Sequence, residues 1–111
     1  MTSPQRRKGS SFERDVVAYL REHGFPYAER AYGAGRPDDR GDIDGMPGFT
    51  LECKAHRQID LAGFVDEAEH ERANARQRFA AAIVKRRNKS TADAYVVMTL
   101  AQFAALVSGD S

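Results

Sequence analysis

The stretch Gly41-Asp42-Ile43-Asp44-Gly45-Met46-Pro47-Gly48-Phe49-Thr50-Leu51-Glu52-Cys53-Lys54-Ala55 decides the fold. From Phe49 the residues alternate: Phe49, Leu51 and Cys53 fall on one side of an extended chain and Thr50, Glu52 and Lys54 on the other, because successive strand side chains point to opposite faces. Gly45-Met46-Pro47-Gly48 is turn chemistry, and the short run Gly41 to Asp44 reads as a partner strand. The segment therefore predicts a β-hairpin, with Glu52 and Lys54 on an exposed sheet face and Asp42 brought near Glu52 across the turn.

Working outward, the spacing predicts a helix over 11–23. Ser10 with Glu13 matches a capping box, Phe12, Val16, Val17 and Leu20 form one apolar stripe, and Gly24 supplies a left-handed stop. Phe25 to Tyr32 is compatible with a weak strand, and Gly33 to Asp39 are loop formers. Beyond the hairpin a second helix is expected over 61–79, capped by Asp60, with Leu61, Phe64, Val65, Ala68, Ala75 and Phe79 facing inward. Ala80 to Arg87 suits a helix by its alanines and a strand by Ile83-Val84; the strand is preferred. Asn88 to Thr91 then turns into a strand over 94–98, and Thr99 with Gln102 caps a closing helix through Leu106 and Val107. The order α-β-β-β-α-β-β-α implies an α/β fold, a mixed sheet flanked by helices.

With 111 residues, 41% of them apolar, the chain suits one domain that needs no cross-links; residues 1–9 read as a flexible basic tail. One cysteine, Cys53, excludes an intrachain disulfide framework and a Cys-rich zinc site. The longest apolar run, Phe79 to Val84, falls far short of the ~20 residues of a membrane helix, and no apolar stretch follows Arg6-Arg7-Lys8. A cytoplasmic setting is expected. Net charge of +1, from 17 basic and 16 acidic residues, argues against a general nucleic-acid coating protein. The charge is segregated, however: Arg6, Arg7 and Lys8 form one basic cluster, and Lys85, Arg86, Arg87 and Lys89 another. Asp66, Glu67, Glu69 and Glu71 read as a solvated helix face.

Two carboxylates, Asp42 and Glu52, and Lys54 at adjoining strand positions form a plausible hard-cation site. Such a site suits phosphodiester hydrolysis, the cation polarising the phosphoryl group and the lysine orienting water or offsetting charge at phosphorus. At these residues the chain resembles the PD-(D/E)xK nuclease superfamily. Lys8-Gly9 ahead of Phe12-Glu13-Arg14, Gly24-Phe25, Gly33 to Gly35, Gly41-Asp42-Ile43 and Glu52-Cys53-Lys54 look like the running order of archaeal-type Holliday junction resolvases and their phage relatives.

That resemblance implies a restriction-endonuclease-like fold and a Mg²⁺-dependent endonuclease, with Mn²⁺ as a substitute, acting as a homodimer on branched DNA in recombination or repair. It implies Asp42 and Glu52 as metal ligands joined by Glu13 and the Cys53 carbonyl, with Lys54 as the catalytic lysine. Gly41 stands where the superfamily has proline, and Asp38 (after Pro37) and Asp44 remain alternatives to Asp42. Asp42 is preferred because it opens a strand whose Ile43 points to the core. Arg6, Arg7, Lys8, Arg36, Arg57, Lys85, Arg86 and Arg87 are the candidate DNA contacts, His56 lies beside Arg57, and Gln77 on the second helix is a further candidate to face the site. The alternatives are a nuclease of the same fold with a nicking or repair role, and a non-catalytic DNA-binding module.

Overall fold

The computed structural model describes residues 4–31 and 41–109. Its elements are α1 (Pro4–Glu22), β1 (Glu29–Arg30), β2 (Ile43–Asp44), β3 (Phe49–Lys54), α2 (Leu61–Ala75), β4 (Phe79–Val84), β5 (Tyr95–Val97) and α3 (Leu100–Ser108), with a 3₁₀ turn at Thr91–Asp93. The strands form one mixed sheet in the order β1-β2-β3-β4-β5. The β3–β4 pair is parallel and the other pairs are antiparallel. The element order expected from the sequence is the one observed. No helix among the described residues is long and apolar enough to cross a membrane.

Parallel pairing of β3 with β4 runs in register from Phe49↔Phe79 to Lys54↔Val84. Two parallel neighbours cannot be joined by a tight turn, so α2 crosses over the sheet between them. The α1 stripe of Phe12, Val16 and Val17 packs on one sheet face with Ile43, Leu51, Cys53, Ala81 and Ile83. On the other face Phe64 packs with Ala82 and Val84. β4 is therefore buried along its whole length, which is why it reads FAAAIV without polar alternation.

Several local expectations are corrected. The basic tail does not stay outside the helix: α1 begins at Pro4, where proline's fixed φ suits a first turn and Gln5 to Lys8 are good helix formers. Ser10 and Glu13 consequently lie inside the helix and cap nothing. Their three-residue spacing puts them on one face, where Ser10 Oγ accepts from Arg30 Nη2 (3.3 Å) and Glu13 from Arg30 Nε (3.2 Å).

Helix α2 stops at Ala75, because Arg76 turns left-handed (φ 55°) and its N–H caps Ala73 and Arg72. Phe79 thus opens β4 instead of closing the helix, and Leu61 is exposed. Asp60 does cap α2, accepting from Gly63 N–H at 3.0 Å, and Thr99 caps α3 through Gln102 N–H at 3.2 Å. The Gln102 side chain ties α3 inward, accepting from Ala80 N–H (2.7 Å) and donating to Glu69. The Thr50–Glu52–Lys54 face of β3 is buried, not exposed, because α2 lies over it.

Gly45 has φ +85°, and a Cβ there would stand 2.0 Å from the Tyr27 carbonyl oxygen. Gly24 has φ +104° but open space around it. Gly24→Ala should cost the ~1–2 kcal/mol of left-handed backbone alone. Gly45→Ala should cost clearly more, since a backbone carbonyl cannot step aside. Thermal melts of the two variants check the ranking.

Candidate active site

Glu52 and Lys54 leave the same face of β3 near its C-terminal end, beside Ala82 and Val84 of β4. They are only 3% and 7% exposed, so each needs a partner. Lys54 Nζ lies 3.6 Å from Glu52 Oε2, donates to Glu67 Oε2 on α2, and sits 5.6 Å from the Phe64 ring centroid. These contacts hold the ammonium in one place. Glu52 Oε1 is buried with no hydrogen-bond partner among the described residues.

Asp42, immediately before β2, is also buried. Its N–H donates to the Leu51 carbonyl and its Oδ2 accepts from the Cys53 N–H, both at 2.8 Å. A residue's N–H and C=O leave a strand on the same side, so the Cys53 carbonyl faces the same β2 edge as Asp42. The Cys53 thiol is buried in the α1-side core, where desolvation, then the charges of Asp42 and Glu13, pushes its pKa far above the ordinary range. Any role of Cys53 toward a cation therefore belongs to its backbone.

Gly41 precedes Asp42 with φ +104°, which proline, locked near −65°, cannot adopt. A Cβ there would also meet Thr50 Cγ2 at 2.9 Å. Burial raises the Glu13 carboxyl above its ordinary value, the charge of Asp42 raises it further, and Arg30 works the other way.

The tightest carboxylate grouping among the described residues is Glu52 with Glu67 and Glu71, whose ligand atoms all lie within 4.8 Å of one another. Glu13 and Asp42 are not in that group; they form a second, electrostatically coupled pair. The acidic block on α2 is thus only partly a solvated face. Glu71 is buried against the sheet and Glu67, four residues earlier, is half exposed but reaches Lys54, while Asp66 stays exposed. The signal was present in the sequence as Glu-x-x-x-Glu, but it became legible only once the crossover helix was placed over β3.

Lys85, Arg86 and Arg87 lie just past β4, in a turn, and not on the strand. With His56, Arg57 and Lys89 they line a groove of about 520 Å³ at the C-terminal ends of β3 and β4. Lys85 N–H donates to the Lys54 carbonyl (2.9 Å), and Ala55, the residue after Lys54, lines the groove, while Lys54 itself does not. Gln77 does not face this end. It precedes β4 at the Phe49 end of the sheet, roughly 16 Å along the strand from Lys54. Arg6, Arg7 and Lys8 lie on the first turns of α1. Arg36 and the alternative Asp38 lie outside the described residues; Asp44 is exposed in β2. Comparison with protein-family models, curated proteins and solved structures gives no match.

Because folding raises the Glu13 pKa, its ionised form costs stability. That cost is absent below the ordinary value of 4.5 and fully present above the folded pKa. In metal-free buffer Glu13→Gln should hold or raise Tm at pH 7, and the difference from the parent should vanish at pH 4. A lower Tm at pH 7 would show that the Arg30 contact dominates.

Proposed function

We propose that the protein is a metal-dependent endodeoxyribonuclease of restriction-endonuclease-like fold, resolving four-way DNA junctions. The observation that carries this reading is a cationic groove at the C-terminal ends of the parallel strands, starting at Ala55, one residue past the buried Glu52–Lys54 pair. Open α/β sheets bind ligands at that end of their strands.

Arg57, Lys85, Arg86, Arg87 and Lys89 supply the charge that holds a phosphate backbone. Arg86 lies 4.7 Å from the exposed Tyr95 ring, so groove cations sit beside a surface able to stack a base. Lys54, oriented by Glu52, Glu67 and Phe64, is positioned to offset charge developing at a phosphate entering from the groove.

A hard divalent cation suits an all-oxygen donor set, and it would relieve the like-charge repulsion by which Asp42 raises the Glu13 carboxyl. Asp42, with Glu13 and the Cys53 carbonyl, would hold it, while Glu52, which the resemblance adds to that set, faces α2 on the other side of the sheet; when bound it would supply Lewis-acid polarisation of the phosphoryl group and a more acidic water. Cutting both strands of a junction calls for two copies. The exposed apolar side chains of α3 (Leu100, Phe103, Leu106 and Val107) and Val96 of edge strand β5 support pairing of two chains.

The test is cleavage of a labelled four-way junction beside the matching linear duplex, with Mg²⁺ or Mn²⁺ and an EDTA control. Paired symmetric cuts confined to the junction are expected, and Lys54→Ala should slow them by about 10²–10³-fold. Cleavage of duplex instead would keep the site and discard the substrate. Junction binding without cleavage would leave a DNA-binding module.

The groove predicts a second result. Lys85→Ala with Arg87→Ala should weaken junction binding and flatten the plot of log affinity against log salt by about 0.9 for each phosphate no longer neutralised. An unchanged slope would remove these residues from the interface.

A further inference from the structure

We propose that Glu67 and Glu71 of α2, with Glu52 of β3, form a cation seat separate from the Asp42 set, selective for a hard divalent ion such as Mg²⁺ or Mn²⁺. The three carboxylates come from two elements. Glu67 and Glu71 are one helical turn apart on α2, Glu71 buried and Glu67 half exposed at its border, and Glu52 faces them from the strand below. Their ligand atoms lie within 4.8 Å of one another. Opposite oxygens on one Mg²⁺ are roughly 4.2 Å apart, so small side-chain rotations close the set on a single ion.

An independent observation points to a ligand. The Glu52 side chain is almost wholly buried, and its Oε1 has no hydrogen-bond partner among the described residues. A buried carboxylate oxygen left that way is costly, and a cation removes the cost. Lys54 does not meet the need, since its contacts go to Oε2 of Glu52 and Oε2 of Glu67.

The donor chemistry narrows the ion. All three ligands are carboxylates, with no thiolate and no imidazole among them, which favours Mg²⁺ or Mn²⁺ over zinc or copper. Mg²⁺ keeps several waters, so three protein oxygens suffice. The seat adjoins the Lys54 ammonium. It deepens the nuclease reading by sharing Glu52 with it, and depends on that reading in nothing else.

The experiment is calorimetric titration of the full chain with MnCl₂ in an Asp42→Asn background, which disables the other carboxylate set while preserving an acceptor for the Cys53 N–H. Mn²⁺ uptake should persist there and weaken at least about tenfold on adding Glu67→Gln or Glu71→Gln. Glu67 is half exposed, so Glu67→Gln serves as the variant least prone to misfold. In melts, the Mn²⁺-induced rise in Tm of the Asp42→Asn protein should disappear with Glu67→Gln. No uptake in the Asp42→Asn background, or uptake untouched by both glutamine variants, overturns the proposal. Junction cleavage by the unmutated chain reads the nuclease assignment separately, so either idea fails without the other.

Discussion

The parallel pairing of β3 with β4 is the constraint on which the rest depends. It places two six-residue strands in the middle of the sheet, with neighbours on both edges and helices on both faces. β4 meets this by being wholly apolar, with three alanines that let the chain above and below approach closely. β3 does not, because Thr50, Glu52 and Lys54 occupy the face beneath α2. A parallel pair also demands a crossover, and that crossover is the helix that brings Glu67 and Glu71 to Glu52.

Burying an ammonium and several carboxylates under one helix does little for stability. Desolvation cancels much of their mutual attraction, and apolar residues of similar size would serve the fold as well or better. Here the pairing is also incomplete, since one Glu52 oxygen is left without a hydrogen-bond partner among the described residues. Strained electrostatics of this kind concentrate at functional sites. On the other sheet face Glu13 shows the same pattern, its carboxyl raised by burial and by Asp42 despite the Arg30 contact. Two acidic groupings, one anchored on α1 and one on α2, thus converge on the last residues of β3.

The cationic groove is explained by the same geometry. Residues just past the ends of β3 and β4 must leave the sheet together, so His56 and Arg57 emerge beside Lys85, Arg86 and Arg87. The hydrogen bond from Lys85 N–H to the Lys54 carbonyl continues the ladder one step beyond the strand. The chain thus passes from the buried Lys54 to the groove lining at Ala55 in one residue.

Element type and order were legible in the sequence because each rests on short-range signals. The alternation of Phe49 to Lys54, the Asp60 and Thr99 caps, the Gly24 stop and the β-branched Ile83-Val84 act within a few residues. Asp42, Glu52 and Lys54 could be singled out for the same reason. Other features depended on tertiary packing that no local pattern encodes. Ser10 and Glu13 are spaced for a capping box, yet their helix continues back to Pro4 and the pair grips Arg30 instead. The face of β3 that looks solvent-exposed by alternation is covered by α2, and the acidic block divides into outward Asp66 and inward Glu71. Sequence alone determined the type and order of the elements, since hydrophobic period is local, but not where α1 begins or α2 ends. Only the tertiary structure decided which charges are buried and which meet, because that follows from where the crossover helix lands on the sheet.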